Sequence, residues 1–405
     1  MTQNLLMIMF DGLPAYRLKL YGGLVETPNI RKLLDISTSY CNIITTAPST
    51  AMSLTSMFTG LFPHEFGRRS YTNEDSELPA GTISLFEELK EKGYNTYILW
   101  HKEMETANPA KYKINVWQGT NTKFIHYKRS GSDIKFIRKI EQALKRIKKG
   151  KQHQFDEIFE VAATLKAPWA MFVRIGREVS REFRGTSNGK TNFREDDEIH
   201  ETDYVIGKLI NNFPDNTKVV ISSDHGHMHG EHGTMGYAFN LYEGTLKVPL
   251  IIYDPVNPTG HVIEDLTSLV NYKNILLKKP LRKSKYLYTD TAYADQWHRK
   301  TMIRKSNWKY IYHRDGWPCK EQFFDLATDP NETIDLAQTS YTDPYRDGRP
   351  KGDTVSDKFS PSGMHWDGKP FREVLLRTDW DNIIAILDEL REERRRIWAN
   401  QNVYE

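Results

Sequence analysis

The stretch Val219-Val220-Ile221-Ser222-Ser223-Asp224-His225-Gly226-His227 decides how this chain reads. Its apolar, β-branched start has the character of a buried strand. That strand delivers an Asp-His pair at its C-terminal end, and in open α/β sheets ligands bind outside those ends. A carboxylate beside an imidazole makes a good pair of ligands for a divalent metal. Asp224-His225-Gly226 also serves as a plain turn, so the motif needs company before it means chemistry.

Working outward, Leu5-Leu6-Met7-Ile8-Met9-Phe10 is a second apolar run, and it ends in Asp11-Gly12. Asp11 therefore falls at the same sheet edge, as a ligand or as the cap of the next turn. A hydroxyl-rich segment, Ala47 to Gly60, runs into a helix expected over Thr50 to Phe58. A hydroxyl there gains from the positive helix end and its free N–H groups, which also favour an anion. The plain alternative is that Ser49 or Thr50 is an N-cap. Strands expected at Tyr94 to Trp100, Trp169 to Val173 and Val248 to Tyr253 alternate with helices at Ile83 to Lys92, Ile134 to Ile147 and Glu198 to Ile210. This alternation predicts an α/β fold with a mainly parallel central sheet and helices on both faces. The last hundred or so residues differ. A hairpin (Met302 to Arg304 with Trp308 to Tyr312), an irregular loop (Thr342 to Lys369) and a helix through Trp380, Ile383, Leu387 and Leu390 predict a small C-terminal α+β domain. The expected division is residues 1–293 and 294–405.

Composition bounds the partners. A net charge of +3 over 405 residues gives no bulk attraction to nucleic acid or membranes. Two cysteines, Cys41 and Cys319, make no disulfide framework. No secretory leader and no apolar run of membrane-spanning length is read, so a cytoplasmic protein is expected. A homo-oligomer is compatible with the sequence. The basic segment Lys135 to Lys151 reads as an amphipathic helix with a solvated face rather than a nucleic-acid or lipid contact.

In chain order, the pieces resemble the sulfatase-like family of the alkaline phosphatase superfamily. The first half rests on Phe10-Asp11-Gly12, Tyr21-Gly22, Thr27-Pro28-Asn29, Thr50 with Phe58-Thr59-Gly60-Leu61-Phe62-Pro63-His64-Glu65-Phe66-Gly67, and Gly93-Tyr94-Asn95-Thr96. The second half rests on Ser223-Asp224-His225-Gly226, Glu231-His232-Gly233, Tyr242-Glu243 and Lys247-Val248-Pro249-Leu250. Phe324-Asp325-Leu326-Ala327-Thr328-Asp329-Pro330-Asn331-Glu332-Thr333 is similar to the family's C-terminal signature.

The resemblance implies that Asp11, Asp224 and His225 ligate a divalent metal (Zn, Mn or Ca), with one site expected and a second left open. It implies that Thr50, nine residues before Thr59, is the nucleophile and a further ligand. His232 becomes the candidate general acid or phosphate contact, with a solvated loop histidine as the alternative. Arg174, as a phosphate clamp with a surface ion pair as the alternative, and His101 become candidate substrate contacts. Asp196 and His200, at i, i+4 spacing, are taken as a solvated face rather than a second metal site. Asp203 matches a family position without assigned chemistry. The departures are specific. Sulfatases proper carry a formylglycine precursor, a proline and an arginine where this chain has Thr50, Met52 and Leu54. Their lysines are replaced by His101 and, near Ala238, by nothing. The expected activity is hydrolysis of small phosphate esters, mono- or diesters, through a threonine nucleophile. The alternatives are sulfate ester hydrolysis without formylglycine, and a binding protein on the same fold.

Overall fold

The computed structural model describes residues 3–23, 26–66, 78–101, 123–127, 168–175, 203, 207, 216–292, 299–314, 321–337 and 380–400. The expected helices over 134–147 and most of 198–210, Asp196 with His200, and the 342–369 loop lie outside them.

In chain order the first half holds β1 (Asn4–Phe10), α1 (Pro28–Leu34), β2 (Ser37–Ile44), α2 (Thr50–Thr59), α3 (Leu85–Glu91), β3 (Asn95–His101), β4 (Lys123–Tyr127) and β5 (Trp169–Ile175). There follow β6 (Thr217–Ser223), β7 (Met228–His229), β8 (Met235–Gly236), α4 (Glu243–Leu246), β9 (Lys247–Tyr253), β10 (His261–Ile263), β11 (Thr267–Ser268) and α5 (Tyr272–Leu276). The chain closes with β12 (Leu287–Ala292), β13 (Arg299–Lys305), β14 (Trp308–His313), β15 (Glu321–Asp325) and α6 (Trp380–Asn400).

The main sheet runs β10-β2-β9-β6-β1-β5-β3-β4, with β11 also paired to β2. Every pairing in it is parallel except those of β9 with β2 and β6, so β9 alone runs backwards. This bears out the expected α/β class. β1 lies at the centre, flanked by β6 and β5, with Phe10 beside Ser223 and Ile175. The C-terminal ends of three strands are thereby set side by side, and Asp11 and Asp224 follow two of them.

Both faces of β1 are buried, which is why its run is apolar without alternation. On one face Met7 and Met9 pack with Leu54 and Phe58 of α2, Leu85 and Phe86 of α3, and Tyr272 of α5. Phe58 is the hub, edge-on to Phe86 and to Phe172, each at 5.1 Å between centroids. Truncating such a buried ring to alanine costs about 3–5 kcal/mol. α3 starts on a complete capping box, Ser84 with Glu87.

The second sheet is antiparallel, β12-β13-β14-β15, and α6 packs on it through Ile383, Leu387, Leu390 and Trp398. β13 and β14 form the expected hairpin. β12 starts at Leu287, on the N-terminal side of residue 294. A third apolar cluster joins the two sheets through Ile44, Leu246, Leu287, Met302 and Phe324. Among the described residues, no helix is long and apolar enough to cross a membrane.

Candidate metal centre and nucleophile

β1 and β6 are stitched together where they end. The Leu13 amide donates to Ser223 Oγ at 2.9 Å, and that hydroxyl lies 2.9 Å from the Phe10 carbonyl and 2.6 Å from the His225 carbonyl. Gly12 takes φ +71°, a left-handed turn that glycine adopts without strain, and its amide reaches Asp224 Oδ1 at 3.2 Å. The His225 amide donates to the same oxygen at 3.0 Å. One side of the Asp224 carboxylate is thus fully engaged by backbone.

The other oxygen, Asp224 Oδ2, is buried and has no hydrogen-bond partner. His225 Nε2 stands 3.8 Å from it and 3.7 Å from Asp11 Oδ1. His225 Nδ1 lies 2.9 Å from the Gly226 carbonyl, which can only accept, so Nδ1 carries the proton. The Nε2 lone pair then faces two carboxylate oxygens. Three acceptors converging in a buried pocket are unfavourable without a cation, because a buried, unsatisfied carboxylate oxygen carries its full desolvation penalty. Asp11, Asp224 and His225 offer ligand atoms within 4.8 Å of one another and are able to hold a metal ion. The Nδ1 contact to a backbone carbonyl is the outer-shell bond that orients metal-binding histidines.

Thr50 is the first residue of α2, and its Oγ1 lies 3.3 Å from His225 Nε2. Neither hydroxyl at this helix start is a cap: Ser49 occupies the N-cap position without a side-chain cap bond. α2 is pinned to the Asp224-His225 loop by Ser53, whose hydroxyl donates to the Asp224 carbonyl at 2.6 Å. Thr45 donates to the same carbonyl at 2.7 Å. From the second sheet, Thr289 holds the Thr45 carbonyl at 2.8 Å, and the Thr291 hydroxyl donates to the Ala238 carbonyl.

The structure brings Asp11, Thr50, Asp224 and His225 together. His232 packs flat against Tyr242, with ring centroids 3.9 Å apart, in a turn where it takes φ +52°. Burial, then the Lys309 ammonium, hold its pKa down to about 4. Arg174 and His101 stand at the C-terminal ends of β5 and β3, on the edge that carries Asp11, with Arg174 beside Met9 of β1. Asp203 caps α1: its carboxylate accepts from the Asn29 and Ile30 amides at 3.0 and 2.8 Å.

Two contributors escape the sequence reading. Tyr237 stacks on the His225 ring at 4.3 Å, placed there by a turn in which Gly236 and the buried Ala238 have φ +95° and +73°. Glu231 fixes the loop of His227 and His229. It accepts from Tyr16 Oη at 2.5 Å, Arg17 Nη2 at 2.8 Å and the His229 amide at 2.7 Å. Burial alone would raise its pKa; these bonds outweigh it and hold the carboxyl below its usual range. Only the Glu-His-Gly tripeptide hints at Glu231, and no local signal marks Tyr237.

The family model described as Sulfatase matches residues 3–277. Arylsulfatase K of Rattus norvegicus is 31% identical over 170 residues, covering 34% of this chain and 30% of that protein. Choline-sulfatase of Rhizobium meliloti is 25% identical over 238 residues, covering 50% of this chain and 43% of that protein. The chain therefore spans less than half the length of these curated relatives. Among solved structures, a phosphonate monoester hydrolase of Agrobacterium radiobacter superposes with a TM-score of 0.60 at 16% identity, covering 84% of this chain and 92% of that one. BT1596, a 2-O GAG sulfatase, superposes at 0.59 and 16%, covering 84% and 88%. At that identity the likeness carries the fold.

Proposed function

The chain belongs to the sulfatase family of the alkaline phosphatase-like superfamily, and from that premise we propose that it hydrolyses phosphate esters with Thr50 as nucleophile. The observation that carries this reading is the Thr50 hydroxyl, 3.3 Å from His225 Nε2 at the start of a buried helix. Threonine is not a precursor of the formylglycine aldehyde, so direct attack by Oγ1 is the chemistry left to this position. Asp11, Asp224, His225 and Thr50 itself would hold the divalent cation. When bound, the cation would favour the threonine alkoxide and offset charge on the reacting oxygens.

Thr50 Oγ1 attacks phosphorus and the alcohol leaves. Water then cleaves the phosphothreonine and restores the hydroxyl. The free N–H groups at the start of α2 favour the anionic group being transferred. Arg174 and His101 are the proposed substrate contacts, supported by their place at the ends of β5 and β3. A proton donor at His232 has weaker support, since a group held near 4 is mostly neutral at pH 7. In this reading residues 1–293 carry the reaction and residues 294–405 form the supporting subdomain.

The second reading, sulfate ester hydrolysis without formylglycine, is favoured by the names of the sequence relatives. A panel of matched aryl phosphodiesters, phosphomonoesters and sulfates, each with Zn, Mn or Ca, separates the two. We expect the phosphoesters to be turned over faster. Thr50→Ala should lose several orders of magnitude in kcat with the fold intact, and Thr50→Ser should keep part of the rate. Faster sulfate turnover would support the second reading, and a near-normal Thr50→Ala enzyme would remove Thr50 from the mechanism. No turnover of any ester would leave a binding protein.

A further inference from the structure

Behind the metal centre lies a buried charge cluster that the proposed reaction does not use. Lys309, in the middle of the second sheet, is fully buried. Its Nζ lies 3.0 Å from Glu243 Oε1 and 2.6 Å from Glu332 Oε1. Arg304 Nη1 meets the other oxygen of Glu243 at 2.9 Å. Glu332 Oε2 in turn accepts from the Glu243 amide at 2.6 Å. Both the side chain and the backbone of Glu243 are therefore held by residues of the C-terminal sheet and its following turn. Each buried acid faces a buried base, and such pairing is what makes burying these groups tolerable. Even so, burial and the neighbouring Glu243 carboxylate push the Glu332 carboxyl up to about 7 against the pull of Lys309.

Glu243 opens α4, and α4 touches both halves of the site. The Gly226 amide donates to the Thr245 carbonyl at 2.8 Å, and the Thr45 amide to the Leu246 carbonyl at 2.8 Å. Gly226 follows His225 directly, and its carbonyl orients the His225 ring. The approach is so close that a Cβ on Gly226 would stand 2.1 Å from the Gly244 carbonyl oxygen. Thr45 supports the Asp224 carbonyl. A displacement of α4 would thus reach His225 and Asp224 through one backbone contact each.

We propose that Lys309 is a positioning residue for the metal centre, acting by clamping Glu243 and Glu332 so that α4 holds Gly226 and Thr45 in place. The inference rests on the reading of Asp11, Asp224 and His225 as the metal ligands. Groups that bond a metal ligand directly are worth about 10- to 100-fold in metal affinity. Lys309 acts on such groups at second hand, so its loss should fall at the lower end of that range. Removing the ammonium also leaves two carboxylates facing each other, so stability falls as well, and the test must separate the two effects.

Binding of Mn2+, Zn2+ and Ca2+, each alone, to the full chain should be measured by calorimetry beside the thermal midpoint. Lys309→Met should weaken binding about tenfold or more. Lys309→Arg, which keeps the charge, should recover part of the loss. Leu387→Ala, on the buried face of α6 and outside the charge cluster, should lower the thermal midpoint while leaving metal affinity unchanged. If Lys309→Met does not fold, Arg304→Met carries the test, since it removes only the outer partner of Glu243 and should still weaken binding. Wild-type affinity in a folded Lys309→Met or Arg304→Met chain overturns this inference alone, as does an equal loss in Leu387→Ala. A wild-type chain that binds none of the three cations overturns the metal reading, and this inference with it.

Discussion

Asp224 presents two unlike oxygens. Oδ1 is engaged by two amides, while Oδ2 faces the Nε2 lone pair of His225 with no hydrogen bond of its own. His232, a few residues on, is held differently. Its ring is stacked on Tyr242 and kept neutral by burial and by Lys309, with a pKa of about 4. A depressed histidine pKa has a definite sign: below pH 6.5 the unfolded chain binds a proton that the folded chain refuses. Its contribution to stability is therefore present above pH 6.5 and lost as the pH falls toward 4. His232→Asn, which tolerates the left-handed backbone, should flatten that limb. Chemical denaturation at pH 7, 5.5 and 4 measures it. A variant that loses stability as steeply as wild type between those pH values would show that His232 is not the group responsible.

Among the elements, α2 shows how a helix can be a fixture rather than a surface. All of its residues after Thr50 are buried, and three of its hydroxyls, those of Ser53, Thr55 and Thr59, bond in two different ways. Thr55 and Thr59 bond back to the Ala51 and Thr55 carbonyls of their own helix, each at 2.7 Å. Ser53 instead reaches across to the Asp224 carbonyl. Ser53→Ala should cost about 1 kcal/mol, because Thr45 still serves that carbonyl, and should also weaken metal binding. Thr55→Ala should cost no more and leave metal binding untouched. Equal metal affinity in both variants would deny Ser53 its role. The same elements show what a sequence discloses. β1 and β6 were legible because strands buried on both faces are written in unbroken apolar residues. Once they are parallel neighbours, Asp11 and Asp224 must meet. Ser37–Ile44 and Leu287–Ala292 gave no such signal, because their strands carry serines and threonines, of which Thr289 and Thr291 face other backbone, and an aspartate, Asp290, paired with Arg299. Tyr237 and Glu231 stayed hidden for another reason. Their positions follow from turns with positive φ at Ala238 and His232, residues that do not advertise such a conformation.

Across the whole molecule, the candidate metal centre joins parts of the chain that are more than 200 residues apart, Asp11 after β1 and the Asp224-His225 pair after β6. A cation that binds only when these parts are assembled must stabilise the entire fold, because the unfolded chain offers no such convergence. At about 100 times its dissociation constant, it should add about 2.7 kcal/mol. For a chain of this size that is a rise of about 3 °C in the thermal midpoint. Chelation should reverse the rise. Asp224→Asn is the sharper control than alanine, since the amide oxygen can still accept from Gly12 and His225 while the NH2 group takes the place of Oδ2. The variant should fold with a midpoint close to that of the metal-free wild type, yet show no shift on adding Mn2+, Zn2+ or Ca2+. A full shift retained in Asp224→Asn would place the cation elsewhere. An absent shift in the wild type, with each of the three ions, would mean that the buried acceptors are satisfied in some other way.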